Sequence, residues 1–437
     1  MTRARDYALA ILVGVFCLEP ATAFAQYGPG PNAPGGGPPG GYSVSPFGAP
    51  EPAGSQPWYG NADEVEESIN RVGPRVTIAK RFLRAEYLNW NIGRPGNVVL
   101  GAPVGAQFPA LPGGFIPGIT DQTQPFVIYA PLTNTPIGFG SVPTTDSMNL
   151  SSANGLQLTA GVELIEGGQF EVSGFMLAKK TSGYTLPLGT QFDLGTLTGL
   201  PASVAFPSPT LVPSVIATST LSNGQLSDHL FLYNQSFSAS FTSQLWGGEA
   251  NYLWGDTVDI FQFLPLAGVR YMNLTETLTQ IGVFQDQFAA VPPVSTQIGA
   301  HTINNLWGGQ IGFRAQAVTK YVDFGVTPKL MMLGNTAYSS VYAARFRSNT
   351  DPTVSNDDLS TKFTFGTDVN AFATVHLREN FSVRIGYSLI WINQVTRPQR
   401  DIVYNDNGAA APAGIGQQTV FHDMLINGFN FGCELRY

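Results

Sequence analysis

Residues 420–437 read VFHDMLINGFNFGCELRY, and their last nine positions decide the fold. Phe429, Phe431, Cys433, Leu435 and Tyr437 alternate with Asn430, Gly432, Glu434 and Arg436. A period of two is the mark of a β-strand with one apolar face. The segment ends on an aromatic residue with no polar tail, so the strand is expected to be part of the fold. Left as an edge in water, such a strand would invite aggregation. Closing it against the first strand of the same sheet, with the apolar face in lipid, removes that liability. A terminal aromatic on an alternating strand also suits recognition by the barrel-assembly machinery of the outer membrane. A secretion signal, an even number of strands and unequal loops should then accompany it.

The composition agrees. The chain has 437 residues, enough for one large barrel. Charged residues make up 12%, about half the ~25% of ordinary soluble domains. Hydrophobic content is 43%, so what is scarce is charge, and Gly and small polar residues replace it. Strands that alternate apolar-out with small-polar-in have this composition. A net charge of −8 argues against nucleic acid as a partner.

The first residues, MTRARDYALAILVGVFCLEPATAFAQ, carry Arg3 and Arg5, an apolar run from Ala8 to Leu18, and Ala23-Phe24-Ala25. This is the pattern of a secretory signal peptide spanning 1–25, cleaved between Ala25 and Gln26. Acylation at Cys17 is disfavoured, because Phe16 stands where a lipoprotein signal needs a small residue. Only Cys433 remains afterwards, so no internal disulfide is expected. No later run of ~18 uncharged apolar residues suggests a membrane-spanning helix. Residues 26–78 begin with a tract too rich in Pro and Gly to pack a core, and read as a flexible periplasmic leader.

Ten strands follow within 79–437. The first is 79–90, with a change of phase that suggests a bulge near Leu88. The second and third form a hairpin, GLQLTAGVELIEGGQFEVSGFMLAKK, turning at Glu166-Gly167-Gly168. Alternation then marks strands near 238–253, 260–280, 301–318, from 322, 361–376, from 381, and the terminal one. Connections are long after the odd-numbered strands and short after the even-numbered ones. Long outer loops and short periplasmic turns are the habit of outer-membrane barrels. The predicted fold is therefore an all-β, antiparallel transmembrane barrel of about ten strands. Two more strands hidden in the long connections would make twelve, and QPFVIYAP at 124–131 is one short candidate.

No catalytic, metal or cofactor constellation stands out. His229, His301, His376 and His422 are scattered, and no phosphate loop, HExxH or nucleophile elbow is present. The acidic stretches SNDD (355–358) and YNDN (404–407) lack the spacing of a calcium loop. What recurs is charge on the row opposite the apolar one: Arg84, Glu86, Glu163, Glu171, Glu249, Arg270, Arg314, Lys329, Asp368, Arg384, Glu434 and Arg436. Arg or Lys on the lipid face costs ~2–4 kcal/mol at mid-membrane, so this row should line the lumen. Ten strands lie near the size whose interior side chains fill, so opposed Arg and Glu can plug the barrel. Trp90, Tyr252, Trp254, Tyr321, Trp391 and Tyr437 lie near strand ends and are expected to form interfacial girdles.

RAEYLNW at 84–90, the GVELIEGGQFEVSGFML hairpin, LWGGEANYL at 245, LWGGQIGFRA at 306, LAGVRYMNL at 266 and GYSLIWINQVTRP at 386–398 resemble the β-barrel porins of planctomycete outer membranes, the group numbered seven. The resemblance covers about 79–437. It implies an outer-membrane barrel and brings no catalytic or binding residues with it. The expected function is a narrow passive channel for small solutes. The alternative is a plugged barrel that acts through its long, nearly uncharged loops. A lipid-modifying barrel enzyme ranks last. Outer-membrane lipid and the assembly machinery are the expected partners, and the sequence leaves the oligomeric state open.

Overall fold

A computed structural model describes residues 78–437, apart from segments 102–125, 130–134, 165–167, 197–204, 223–224, 286–291 and 405–413 and positions 256, 259 and 347. The signal peptide with its Ala25/Gln26 cleavage site, the leader 26–77, and most of the Glu166-Gly167-Gly168 turn lie outside the described residues.

Ten strands form one antiparallel sheet: β1 (Ile78–Ile92), β2 (Ala153–Leu164), β3 (Gln169–Leu177), β4 (Ser236–Leu253), β5 (Phe261–Phe284), β6 (Val294–Ala317), β7 (Val322–Ala344), β8 (Val354–Arg378), β9 (Phe381–Thr396) and β10 (Phe421–Arg436). Each pairs with its sequence neighbour. The ring closes where β10 meets β1, in register from Phe82↔Arg436 to Ile92↔Ile426. Arg81 and Tyr437 exchange two backbone hydrogen bonds of 2.9 Å at the seam. Closure leaves no edge, so the alternating apolar face can be turned outward. Phe429 and Phe363 are 65% and 61% exposed there, whereas inward Leu333 is wholly buried.

The middle strands are longer than the sequence suggested. β5 to β8 run 23 to 25 residues, so β5 reaches Phe284, β6 starts at Val294, β7 reaches Ala344 and β8 starts at Val354. At ~3.3 Å per residue such a strand is roughly 80 Å long, far more than a ~25 Å apolar band needs even when tilted. The barrel wall therefore continues well beyond the membrane. The connections after β5 and β7 that read as long loops are mostly this extra wall.

The other long connections also fold. Phe126–Tyr129, Pro136–Ser141, Gln191–Asp193, Leu211–Ser222 and Gln225–Tyr233 form a separate five-stranded sheet. Its centre is a parallel pairing of Pro136–Ser141 with Leu211–Ser222, which ties the connection after β1 to that after β3. Val127, Leu194 and Val212 are buried beneath it, beside Phe139 stacked on Phe192 at 4.0 Å. The low charge of these connections thus reflects a small core of their own. Lys180–Pro187 continues the wall past β3 and pairs with the upper part of β4.

The bulge expected near Leu88 is absent. The β1–β2 ladder runs without a break from Lys80 to Trp90, and its irregularity lies between Ile78 and Lys80. The phase of apolar residues changes at Leu88 because the lumen itself turns apolar at that height. Leu88, Trp90 and Ile92 point inward, as Arg84 and Glu86 do lower down.

Candidate functional site

The even positions of β1, β5, β6, β8, β9 and β10 and the odd positions of β2, β3, β4 and β7 share the interior. Hydrogen bonds between strands that are not neighbours fix this assignment, since only a lumen lets them meet. Arg314 of β6 donates from Nη1 and Nη2 to the two carboxylate oxygens of Glu171 in β3, at 2.9 and 2.8 Å. Arg270 of β5 reaches Asp368 of β8 at 2.5 Å and also pairs with Glu249 of β4. Lys329 of β7 donates to Glu249 at 2.7 and 2.9 Å and approaches Asp368 at 3.4 Å. Arg84 bonds Glu86 at 3.2 Å and Glu434 at 3.3 Å, and Arg436 bonds Glu434 at 2.7 Å. Arg384 stands 3.4 Å from Glu86 and lies over the Phe372 ring. Glu163 lies across from Lys80 at the short-turn mouth. All twelve charged residues singled out in the sequence thus stand on the inward rows, and ten of them belong to one paired layer with Arg436 at its edge.

Apolar side chains close the lumen on both sides of this layer. Toward the short turns lie Phe82, Leu253, Leu264, Leu266 and Phe372, all buried. Toward the long loops lie Leu88, Ile92, Leu245, Met272, Leu274, Leu306, Met331, Leu333, Ile392 and Ile426, none more than 1% exposed. Trp90 belongs to this second layer. It was expected at an interface, but it is 3% exposed and donates Nε1–H to Asn430 Oδ1 at 2.7 Å. A lumen that provides an acceptor satisfies the indole nitrogen as well as an interface does.

The other aromatics lie on the outside. Tyr252 and Trp254 stack at 6.0 Å by the β4–β5 turn, Tyr321 lies in the β6–β7 turn, and Tyr437 ends β10. Trp391 is half-buried on the outward row of β9.

Above the apolar layer, the chain after β9 turns inward. The β9–β10 ladder shifts between Ile392 and Val395, and Gln394 has φ +54°. The helical turn Pro398–Asp401 then enters the barrel, with Pro398, Gln399 and Asp401 buried. Arg397 donates Nε and Nη2 to the Glu276 carboxylate, both at 2.8 Å. Its Nη1 donates to the carbonyls of Gly93 and Arg94 at 2.9 Å. Asp401 accepts from Ser339 and Thr396 at 2.6 Å and from the Val420 amide at 3.0 Å. Burial pushes its carboxyl above the usual carboxylate range, against the pull of those hydrogen bonds. Asn335 donates to Gln394 O at 2.8 Å, and Gln280 donates to the Tyr404 hydroxyl at 2.7 Å.

Sequence reasoning missed Glu276, Arg397 and Asp401 as interior residues. Glu276 continues the even row of Arg270 and was legible on that ground. Arg397 and Asp401 follow the last outward residue of β9, where alternation no longer says which way a side chain points. Among the described residues no three His, Cys, Asp or Glu side chains converge as metal ligands. Asp358, from the SNDD stretch, accepts a hydrogen bond from Thr419. Of the YNDN stretch, only Tyr404 is described.

Among solved structures, the chain is similar to the outer membrane protease OmpT of Escherichia coli, at 9% identity and TM-score 0.43, with 84% of this chain and 99% of that one covered. It is also similar to a FadL homologue of Pseudomonas aeruginosa, at 9% identity and TM-score 0.24, covering 82% and 90%. The toluene transporter TodX of P. putida aligns at 7% identity and TM-score 0.17, covering 83% and 90%. A comparison with curated proteins found no match. Residues 82–437 match the family described as "Putative beta barrel porin-7 (BBP7)". That match spans the whole ring from β1 to β10, and the chain belongs to this family of β-barrel porins.

Proposed function

We propose that this porin-family barrel resides in the outer membrane with a sealed lumen, and serves as a membrane-anchored scaffold that presents its long-loop end. The observation that carries this reading is the stacking of four closures: an apolar base, a paired charge layer, a second apolar layer, and a chain segment fastened by Arg397 to Glu276. The cavity left within the charge layer has a volume of only about 60 Å³. Membership of the porin family supports a role without chemistry. The terminal strand supplies the surface that assembly machinery would receive. The test is single-channel conductance of the refolded protein in a planar lipid bilayer. A folded, inserted barrel that stays silent is expected, and discrete current steps would overturn the reading.

A narrow channel for small solutes is the second reading. It is favoured by one fact: part of the uppermost closure, Arg397 to Tyr404, belongs to the connection after β9 and not to a barrel strand. The apolar layer below it would still have to part. Rare openings that become frequent when this connection is released would support it.

A further inference from the structure

We infer that the outer wall at the short-turn end holds one anionic diacyl phospholipid, its two acyl chains astride β7 and its phosphate at Lys320. The wall there carries a shallow depression of about 650 Å³, within the ~300–1,000 Å³ of ordinary ligand sites. Strand register builds it. Phe261, Ala317, Phe324, Ala373 and Ile385 follow one another sideways across five neighbouring strands, β5 to β9. Ala315, Val326 and Ala371 repeat the middle of this pattern one outward position higher. Large and small side chains therefore alternate around the wall. Two troughs floored by alanine run along β6 and β8, on either side of a ridge formed by Phe324 and Val326. Neighbouring strands lie ~4.8 Å apart, so the troughs are separated by roughly 10 Å. A trough lets a methylene chain touch side chains on three sides, and each added contact brings dispersion attraction. Two parallel troughs suit the two chains of one lipid. A second barrel would present a convex wall and rest on the ridge, where Phe324 is 60% exposed.

Lys320 sets the place and the charge of the head. It stands in the β6–β7 turn, at the foot of the ridge and between the two troughs, after Ala317 and before Phe324. Its Nζ lies 5.3 Å from the centre of the Tyr321 ring, and that ring is 66% exposed on the outside. The nearest carboxylate along the chain, Asp323, is turned into the barrel. There it accepts from the Thr319 amide at 3.0 Å and pairs with His376 at 2.7 Å. The ammonium is thus left at the lipid boundary with no carboxylate partner among the described residues. Arg378, exposed in the next short turn below the β8 trough, brings a second cation, with Glu379 beside it. Short turns belong to the periplasmic side, so the lipid comes from the periplasmic leaflet. An anionic headgroup is what a cation at that surface attracts.

The probes are phosphatidylglycerol and phosphatidylethanolamine, each carrying a photoreactive diazirine in one acyl chain. Each is present at the same low fraction in phosphatidylcholine vesicles that hold the refolded full chain. After illumination, phosphatidylglycerol is expected to label mainly residues 315–326 and 371–387, severalfold more than phosphatidylethanolamine does. Ala371→Leu with Ala373→Leu fills one trough from its exposed side and should cut that labelling severalfold. Lys320→Gln should leave the pattern in place and remove the preference for phosphatidylglycerol. Labelling spread evenly around the ten strands would mean ordinary surrounding lipid and overturns the inference, and the unaltered protein alone decides this. Equal labelling by the two lipids overturns it as well. So does a dimer, trapped by chemical cross-linking in the same vesicles, that disappears when the trough is filled. The inference needs the barrel to sit in a bilayer and holds whether or not the lumen conducts, so it can fail independently of the conductance test.

Discussion

Arg397 and Glu276 meet through two parallel hydrogen bonds of 2.8 Å inside the barrel, and the Glu276 side chain has no exposure at all. The pair joins the first residue after β9 to the middle of β5, across the lumen. It converts the last long connection from a surface loop into an interior part. The guanidinium's Nη1 holds the chain just after β1, so one side chain ties two connections to a strand.

Replacing Arg397 by Met should therefore release this connection while leaving the ring intact. Glu276 would keep its charge in a buried site with no partner, which costs on the order of 3–5 kcal/mol. Hydrogen exchange at residues 398–404 should accelerate strongly in Arg397→Met. Adding Glu276→Gln should restore much of the protection, because a neutral amide needs less compensation. Unchanged exchange in the single variant would show that the apolar contacts alone hold the segment.

Release of the segment should not by itself open the barrel. Met331, Leu333 and Ile392 lie beneath it with no exposure. They belong to the strands, so they stay when the connection is replaced by a short Gly/Ser linker. The linker variant is expected to be silent in a planar bilayer. Serine at those three residues as well should still leave the barrel silent, because the paired charge layer and the apolar base around Phe82 fill the lumen below them. Steps in the linker variant alone would make the connection the sole gate.

The ring and its inward charges were legible because both obey a period of two. Phe429 to Tyr437 could be placed from alternation alone, and so could Arg84 against Leu83. Legibility failed where a second rule replaced the first. Leu88, Trp90 and Ile92 keep the geometric period but change chemistry, because the lumen is layered, and in the sequence this change has the pattern of a bulge. The upper halves of β5 to β8 failed for a related reason. Outside the lipid their outward positions need not be apolar: Thr275, Thr277 and Thr279 face outward while Glu276, Leu278 and Gln280 are buried. Arg397 was out of reach because its direction is set by the bulge at Gln394 and by tertiary contacts.

Acid should tighten the inner segment through Asp401. Burial is the main cause that raises its carboxyl above the usual range, and nearby Asp358 acts in the same direction. A carboxyl whose docked-state pKa is raised binds its proton more firmly when docked. Its favourable contribution is complete below the ordinary carboxylate pKa of ~3.9 and is lost as pH rises through the raised value. Protease protection of residues 397–404 should thus increase from neutral pH down toward pH 4. Subtracting the profile of Asp401→Asn, which cannot titrate, isolates this contribution from that of nearby His422. Superimposable profiles for the two proteins would remove Asp401 as the cause.

Gly161 and Phe82 form a tight fit at the short-turn end. They are register partners on β2 and β1, and the Phe82 ring lies across the glycine on the lumen side. A Cβ at 161 would sit 2.1 Å from Phe82 Cε1 and 2.2 Å from Cζ, far inside contact distance. The ring is 4% exposed and has little room to withdraw. Gly161→Ala should accordingly cost about 1–3 kcal/mol, the usual range for overpacking a filled interior. The loss would register as a lower unfolding midpoint of the folded barrel in detergent. Phe82→Leu alone should also destabilise, because it leaves space over the glycine. Together the two changes fill the same volume with a different division of atoms, so the double variant should be more stable than the sum of the single losses predicts. Strict additivity would mean that the two side chains do not share that space in the folded barrel, and that the apolar base of the lumen is packed more loosely than its burial indicates.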